Sequence, residues 1–161
     1  MQQFGTFAPR GFNRIILGLA KMGLGRGRLK LLFSQLWSQI NGDKPVDLIY
    51  QNLKLRLRPR QNTIESKIMF SAKKREGAEL ELIKRHLADG GVFVDIGSNI
   101  GYYALNVALM SAGKVIAIEP NPPVLARLRD NIALNDLQSK ITVHDVAIGA
   151  AKDIAKLTIS D

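Results

Sequence analysis

A short β-branched apolar run that leads through a glycine-containing turn into an apolar helical segment is the feature that most constrains this fold. Residues 92–96, Val-Phe-Val-Asp-Ile, are typical of a buried parallel strand. Two further runs of this kind, at residues 114–119 and 141–145, alternate with helical patterns at residues 100–110 and 122–134. Strand, helix, strand, helix, strand with short connections predicts a parallel sheet with right-handed crossovers.

The N-terminal part of the chain carries different patterns. Residues 12–40 show helical periodicity that Gly23, Gly25 and Gly27 interrupt. Residues 53–58 alternate leucine with lysine or arginine, which predicts a half-buried strand with a basic outer face. Residues 76–88 predict an amphipathic helix that ends at a glycine pair.

These patterns together predict an α/β protein in which a basic extension of helices and a strand precedes a Rossmann-like parallel sheet. We place a basic helical extension at residues 1–52 and the first part of the Rossmann-like domain at residues 53–161. The charge follows a similar division. Residues 1–75 hold 15 Lys and Arg against 3 Asp and Glu, whereas residues 76–161 hold 8 against 11.

The basic half allows three interpretations. A solvated basic face is favoured, and peripheral contact with an anionic membrane surface is the second, since residues 12–40 mix apolar and basic side chains. Binding to nucleic acid is the third, because clustered Lys and Arg match a row of phosphates. No known nucleic-acid-binding module is recognisable in the sequence, so no nucleic-acid partner is expected.

The composition excludes several classes of site. The chain has no cysteine and 2 histidines, which excludes disulfides, zinc–thiolate sites and cysteine nucleophiles, and no metal site is predicted. The longest apolar runs fall far short of the roughly 20 residues that cross a bilayer. No basic start followed by a long apolar core marks a signal peptide, so a cytoplasmic location is expected.

Polar residues follow each predicted strand at the edge of the sheet where ligands bind in open parallel sheets. The first strand leads through Asp95 into the turn 97–101, whose glycines allow a tight bend and a close approach of ligand to backbone. The second strand ends in Glu119, where a carboxylate can accept hydrogen bonds from both hydroxyls of a ribose. The third ends in His144-Asp145, which offers another carboxylate.

The turn also discriminates between nucleoside cofactors. A dinucleotide fingerprint has a second glycine where the pyrophosphate touches the backbone, whereas this sequence has Asn99 there. Acidic residues at the strand ends suit a cationic ligand better than a diphosphate. S-adenosyl-L-methionine has an ammonium group and a sulfonium and no phosphate, so these residues favour it over NAD.

Several stretches resemble a known family. Residues 93–103 resemble the first motif of the FkbM-type family of class I methyltransferases, and residues 115–122 resemble its second motif. Residues 131–135 and 146–149 are similar as well. The resemblance covers about residues 53–160. It implies an S-adenosyl-L-methionine-dependent methyltransferase that methylates a hydroxyl group of a small-molecule or sugar acceptor.

The resemblance also implies roles for individual residues. The predicted cofactor-binding set is Asp95, Gly97, Ser98, Asn99, Gly101, Glu119, Pro120, Asn121 and Asp145. Asp95 and the two glycines would hold the methionine moiety, and Glu119 would bind the ribose. Pro120 and Asn121 would flank the adenine, whose amino group would face Asp145. No catalytic residue on the acceptor side is predicted.

The same resemblance implies an incomplete sheet, because a class I methyltransferase has seven strands. After the third predicted strand the sequence shows only a short β-like stretch at residues 156–160. The first strand would then have an unpaired apolar edge that can pair with another chain, so a homo-oligomer through this edge is expected. The chain is accordingly expected to be the cofactor half of an enzyme, either a fragment or a truncated relative.

Two functions of other classes remain open at this point. One is a non-catalytic cofactor-binding fragment that retains Asp95 and Glu119 without activity. The other is a basic binding module in which residues 1–75 contact a membrane surface or nucleic acid and the α/β half is a scaffold. An NAD-binding domain is a weaker third option, which Asn99 disfavours.

Overall fold

The computed structural model describes residues 2–24, 27–70, 77–151, 153–154 and 156–158. They belong to two compact units, Met1–Arg75 and Glu76–Asp161. The domain boundary expected after residue 52 stays a prediction, although the strand that begins at Leu53 pairs within the first unit. Within the described part of the chain, no helix is both long and apolar enough to cross a membrane.

The first unit combines helices with one β-hairpin. Its elements are α1 (Phe12–Leu19), a π-helical segment (Ala20–Leu24), α2 (Gly27–Asn41), β1 (Val46–Tyr50), β2 (Leu53–Leu57) and α3 (Thr63–Phe70). The helical pattern of residues 12–40 is therefore present as two helices. Gly25, one of the predicted interruptions, lies outside the described residues.

The hairpin joins two antiparallel strands, β1 and β2. Gln51 and Asn52 at its turn both have positive φ, 50° and 68°, which is the backbone of a two-residue hairpin loop whose twist matches that of the strands. The leucines of β2 are fully buried, at positions 53, 55 and 57. The alternation of residues in this strand therefore predicts its buried face correctly.

The basic outer face predicted for β2 is wrong at Arg56, which is only 8% exposed. Its Nε donates a hydrogen bond to Asp47 Oδ1 at 2.8 Å, from the partner strand. Its guanidinium also lies 4.8 Å from the centroid of the Phe7 ring and donates to the carbonyls of Gln2 and Gln3. The segment before α1 therefore covers this face, and an ion pair compensates the buried charge.

The second unit contains the α/β repeat. Its elements are α4 (Gly77–His86), β3 (Val92–Ile96), α5 (Tyr102–Met110), β4 (Lys114–Ile118), α6 (Pro122–Leu134) and β5 (Ile141–His144). The three strands lie in the order β3-β4-β5 and both pairs are parallel. This confirms the predicted Rossmann-like α/β fold. The β-like stretch expected at 156–160 has no regular structure over residues 156–158, and residues 159–160 lie outside the described part.

The two faces of the three-stranded sheet differ in burial. On one face, Val115 and Ala117 of the central strand are fully buried, and α5 packs against the sheet. On the opposite face, three apolar residues of β3 are 56%, 48% and 64% exposed, namely Val92, Val94 and Ile96. Within the described residues β3 pairs only with β4. An uncovered apolar face beside an open edge agrees with an incomplete sheet.

Candidate functional site

The turn between β3 and α5 is bent by residues in the left-handed region of backbone space. Gly97, Asn99 and Gly101 have φ of 74°, 51° and 91°, a region in which glycine has no steric penalty and asparagine only a small one. The amides of Gly97 and Ser98 both donate to the carbonyl of Ile118 at 2.9 and 3.0 Å. The turn is therefore held against the carboxyl end of the neighbouring strand.

The hydroxyl of Ser98 reinforces this contact. It accepts a hydrogen bond from the amide of Ile118 at 2.9 Å and donates to the carbonyl of Asp95 at 2.7 Å. The residue is 5% exposed. Ser98 was predicted as a cofactor contact, but its side chain is engaged by the backbone at the ends of β3 and β4. Its contribution in this structure is to position the turn.

Glu119 joins two loops at the carboxyl end of β4. Its Oε2 accepts from the amide of Asn99 and its Oε1 from the amide of Asn121, both at 2.9 Å. The residue is 7% exposed. Because each carboxylate oxygen has two lone pairs, both oxygens can accept a further hydrogen bond. The side chain is thus fixed in position and able to receive two hydroxyl donors.

Asp95 lies at the end of β3 and stabilises the start of α5. Its Oδ2 accepts from the amide of Ala104 at 3.1 Å, which satisfies one of the free N–H groups in the first helical turn. Burial raises the pKa of Asp95, the hydrogen bond from Ala104 lowers it, and the charge of Glu119 raises it, with a net increase. Two carboxylates therefore repel each other at neighbouring strand ends, and a cation between them would relieve that repulsion.

The remaining predicted residues lie at the same edge of the sheet. Asn121 occupies the N-cap position of α6, but its side chain forms no capping hydrogen bond, and its buried Oδ1 has no partner among the described residues. Pro120 beside it is half-buried, and Asp145 is exposed directly after β5. The structure thus brings the turn, Glu119 and Asn121 together, while Asp145 lies at the rim.

The geometry of this edge fits S-adenosyl-L-methionine. A Cβ built on Gly97 would have no atom within 4 Å, so there is open space over the backbone of the turn. The orphaned Oδ1 of Asn121 is an acceptor without a donor, and the ligand carries amino and hydroxyl donors. Its positive charge also suits the acidic pair. Among the described residues, no cluster of His, Asp and Glu could hold a metal ion.

Sequence reasoning assigned no role to Asn131, which is fully buried in α6. Its Nδ2 donates to the carbonyl of Ile100 at 3.1 Å, which connects the helix to the end of the turn. The signal for this role was an amide side chain among the mostly apolar buried residues of the helix, since a buried amide requires a partner.

Comparison with known proteins identifies several methyltransferases. The TRM5/TYW2 methyltransferase domain matches residues 61–158. A ribosomal protein L11 methyltransferase of Carboxydothermus hydrogenoformans is 38% identical over 64 residues, which are 40% of this chain and 21% of that protein.

Two solved structures are also similar. Pyrococcus horikoshii TYW2 in complex with MeSAdo has a TM-score of 0.52 at 20% identity, over 76% of this chain and 50% of that one. A Methanocaldococcus jannaschii tRNA methyltransferase has a TM-score of 0.46 at 24% identity, over 65% of this chain and 31% of that one. The chain spans half the length of these relatives or less.

Two expectations from the sequence are wrong. The FkbM-type resemblance is overturned by the matched domain, which is that of TRM5/TYW2. The expected partners, a small-molecule or sugar acceptor and no nucleic acid, are overturned by the match to the TRM5/TYW2 domain and by a relative named as a ribosomal protein L11 methyltransferase. The prediction of a class I methyltransferase domain with S-adenosyl-L-methionine as the cofactor is confirmed at the level of the family. The chain belongs to the TRM5/TYW2 methyltransferase domain family.

Proposed function

We propose that this chain is the cofactor-binding part of an S-adenosyl-L-methionine-dependent methyltransferase that acts on RNA. The observation that carries the proposal is the pair Asp95 and Glu119, which lie at the ends of adjacent parallel strands and interact through their charges. The glycine turn between β3 and α5 lies directly beside them. We also propose that the protein is located in the cytoplasm.

Each residue of the site has a role that follows from its contacts. Glu119, already fixed by two backbone amides, accepts the two ribose hydroxyls with its remaining lone pairs. Asp95 attracts the cationic methionine end. Gly97 leaves the backbone open to the ligand, and Asn121 accepts from the ligand with its free Oδ1. Asp145, with Pro120, borders the adenine at the exposed rim.

When bound, the cofactor supplies a methyl group on a positively charged sulfur, which a nucleophile can attack in line. The chain's own contribution is to hold this group in one orientation, since catalysis in such transfers depends largely on positioning. We assign no residue that deprotonates the acceptor.

The RNA acceptor is supported by the family match and by charge. The first unit carries an excess of 12 positive charges, 15 basic residues against 3 acidic ones, which favours a polyanion. A second candidate acceptor is a ribosomal protein, because the relative that is 38% identical over 64 residues is a ribosomal protein L11 methyltransferase.

Calorimetric titration with S-adenosylhomocysteine tests the cofactor site. The unmodified chain should bind, and Glu119→Gln should raise Kd by about 10- to 100-fold, because a hydrogen bond to a charged group contributes about 1.5–3 kcal/mol. Glu81→Gln, an exposed carboxylate on α4, is the matched control and should leave Kd unchanged. A chain that is folded by circular dichroism and does not bind would contradict the proposal.

Transfer of a radioactive methyl group tests the acceptor. The enzyme is incubated with labelled cofactor and, separately, with a tRNA transcript, ribosomal RNA or purified ribosomal protein. Label in RNA supports the proposal, whereas label in protein alone assigns the second candidate.

A further inference from the structure

Two adjacent cavities of the first unit are lined by basic side chains. A cavity of about 460 Å³ has Arg14 and Lys21 in its wall, and one of about 240 Å³ has Arg10 and Lys44. Both cavities include Ala8-Pro9 among their lining residues, so they are neighbours. All four cationic residues are exposed. We call these four residues the basic surface.

Among the residues that the structure describes, the lining of both cavities is basic without an acidic side chain in it. Each of the three acidic residues in residues 1–75 has a hydrogen-bond or ion-pair partner of its own outside the basic surface. Asp47 pairs with Arg56, the buried Glu65 accepts from the amide of Arg58, and Asp43 lies 3.7 Å from Arg60.

The backbone that carries the basic surface is anchored. Arg14 lies in α1 and Lys21 in the π-helical segment that directly follows it, and both line the larger cavity, which places them on the same side. Their helix is fixed by the buried Ile16 and Ala20. Cations on a rigid backbone lose less entropy when they bind than cations on a flexible tail.

The segment before α1, which leads to Arg10, is anchored too. The amides of Gly5 and Phe7 donate to Asp47 Oδ2 at 2.8 and 3.2 Å. Asn13 in α1 and Asn41 in α2 exchange side-chain hydrogen bonds at 2.7 and 3.1 Å. Arg10 lies in this segment, Arg14 in α1, Lys21 in the π-helical segment and Lys44 between α2 and β1. Hydrogen bonds thus connect the parts of the backbone on which the basic surface is built.

We propose that the basic surface binds the phosphate backbone of the RNA acceptor, a statement that rests on the proposed function. It lies outside residues 61–158, which match the methyltransferase domain, and is thus a second contact site for the substrate. Arginine pairs with phosphate through two parallel hydrogen bonds and lysine as a point charge. Neutralised phosphates release counterions, so binding by four cations depends steeply on salt.

Fluorescence anisotropy with a fluorescein-labelled tRNA transcript tests this site, with KCl varied between about 50 and 200 mM. With four contacts, the slope of log K against log salt is expected to be about −3 to −4 for the unmodified chain. The double variant Arg14→Gln/Lys21→Gln should reduce the slope by about 2 and weaken binding at least about tenfold. Lys84→Gln/Arg85→Gln on α4 removes the same charge from exposed positions and should change the affinity much less.

The outcomes separate this proposal from the proposed function. If both double variants weaken RNA binding equally, overall charge is responsible and the basic surface is not a site, while the RNA acceptor stands. If the unmodified chain binds S-adenosylhomocysteine but no RNA, both the surface and the RNA acceptor are overturned and the cofactor site stands. Binding to phosphatidylserine vesicles in place of RNA would assign the surface to a membrane and overturn the proposal. The Arg14→Gln/Lys21→Gln variant should bind S-adenosylhomocysteine as the unmodified chain does.

Discussion

Gly101 lies against Leu128, so that a Cβ at Gly101 would approach Leu128 Cδ1 to 2.6 Å. The backbone of Gly101 also has a φ of 91°, which side chains rarely adopt. The helix α6 therefore packs directly onto the turn of the candidate site, and the absence of a side chain at Gly101 permits that packing.

Gly101→Ala should lower the free energy of unfolding by about 1–3 kcal/mol, because it combines overpacking with backbone strain. Urea denaturation measures this effect. Gly18→Ala is the control, since a Cβ at Gly18 in α1 meets no atom within 4 Å and alanine favours a helix. If Gly101→Ala and the unmodified chain have the same free energy of unfolding, α6 and the turn can move apart without loss of stability, and the prediction is wrong.

Asp95→Asn should stabilise the chain and abolish cofactor binding. The net increase in the pKa of Asp95, from burial and from Glu119 against the hydrogen bond of Ala104, means that the native state holds its proton more tightly than the unfolded state. Stability from this group is thus present at acid pH and lost as pH rises through the native pKa. An asparagine keeps an acceptor for Ala104 without the charge.

At neutral pH, Asp95→Asn should raise the free energy of unfolding by about 1 kcal/mol, which is within the range of stabilising changes at functional sites. Thermal unfolding at pH 7 and at pH 4 measures it, and the gain should disappear at the lower pH. Asp130→Asn on α6 is the control, since it removes a carboxylate that lies away from the two strand ends. A loss of stability at pH 7 would refute the predicted repulsion between Asp95 and Glu119.

Asp47 should make the first unit sensitive to acid. Burial alone would raise the pKa of Asp47, but hydrogen bonds from Arg56, Phe7 and Gly5 outweigh it, so the pKa lies below its usual value. A lowered native pKa means that its stabilisation is present above about pH 4 and is lost as pH falls further.

Asp47→Asn should remove this acid dependence and destabilise the chain by about 3–5 kcal/mol, because Arg56 would remain as a buried charge without its partner. Circular dichroism during acid titration measures both effects. Asp43→Asn is the control, since Asp43 is exposed and lies 3.7 Å from Arg60, and it should cost less than about 1 kcal/mol. If Asp47→Asn and Asp43→Asn lower the stability equally, the buried pair Asp47–Arg56 contributes no more to stability than an exposed pair.

Ser98→Ala should destabilise the second unit by about 1–3 kcal/mol, because the buried amide of Ile118 loses the hydroxyl that accepts its hydrogen bond. Chemical denaturation followed by circular dichroism measures the loss. Ser111→Ala is the comparison, since its hydroxyl only donates to the carbonyl of Val107 at the end of α5. If Ser98→Ala is as stable as Ser111→Ala, the hydroxyl is not needed to join the strand ends.

The sequence by itself determined the α/β unit. Its strands and helices differ in hydrophobic periodicity, glycines mark the turns, and parallel strands necessarily bring their carboxyl ends to one edge. The placement of Asp95 and Glu119 next to each other follows from these local signals alone. The same motifs led to the FkbM-type family instead of the TRM5/TYW2 family. Residues that contact a cofactor depend on the structure of the cofactor and carry little information about the methyl acceptor.

Only the tertiary structure decided how individual polar side chains are used. The alternating pattern of β2 could not show that Arg56 turns toward Asp47 and is covered by residues 2–7. The first contact depends on the register of the hairpin, and the second joins positions distant in sequence. Likewise, Ser98 is engaged by Ile118 and Asn121 does not cap α6. A hydrogen bond depends on distances and angles between specific atoms, and these are defined only when the strands, turns and helices have packed together.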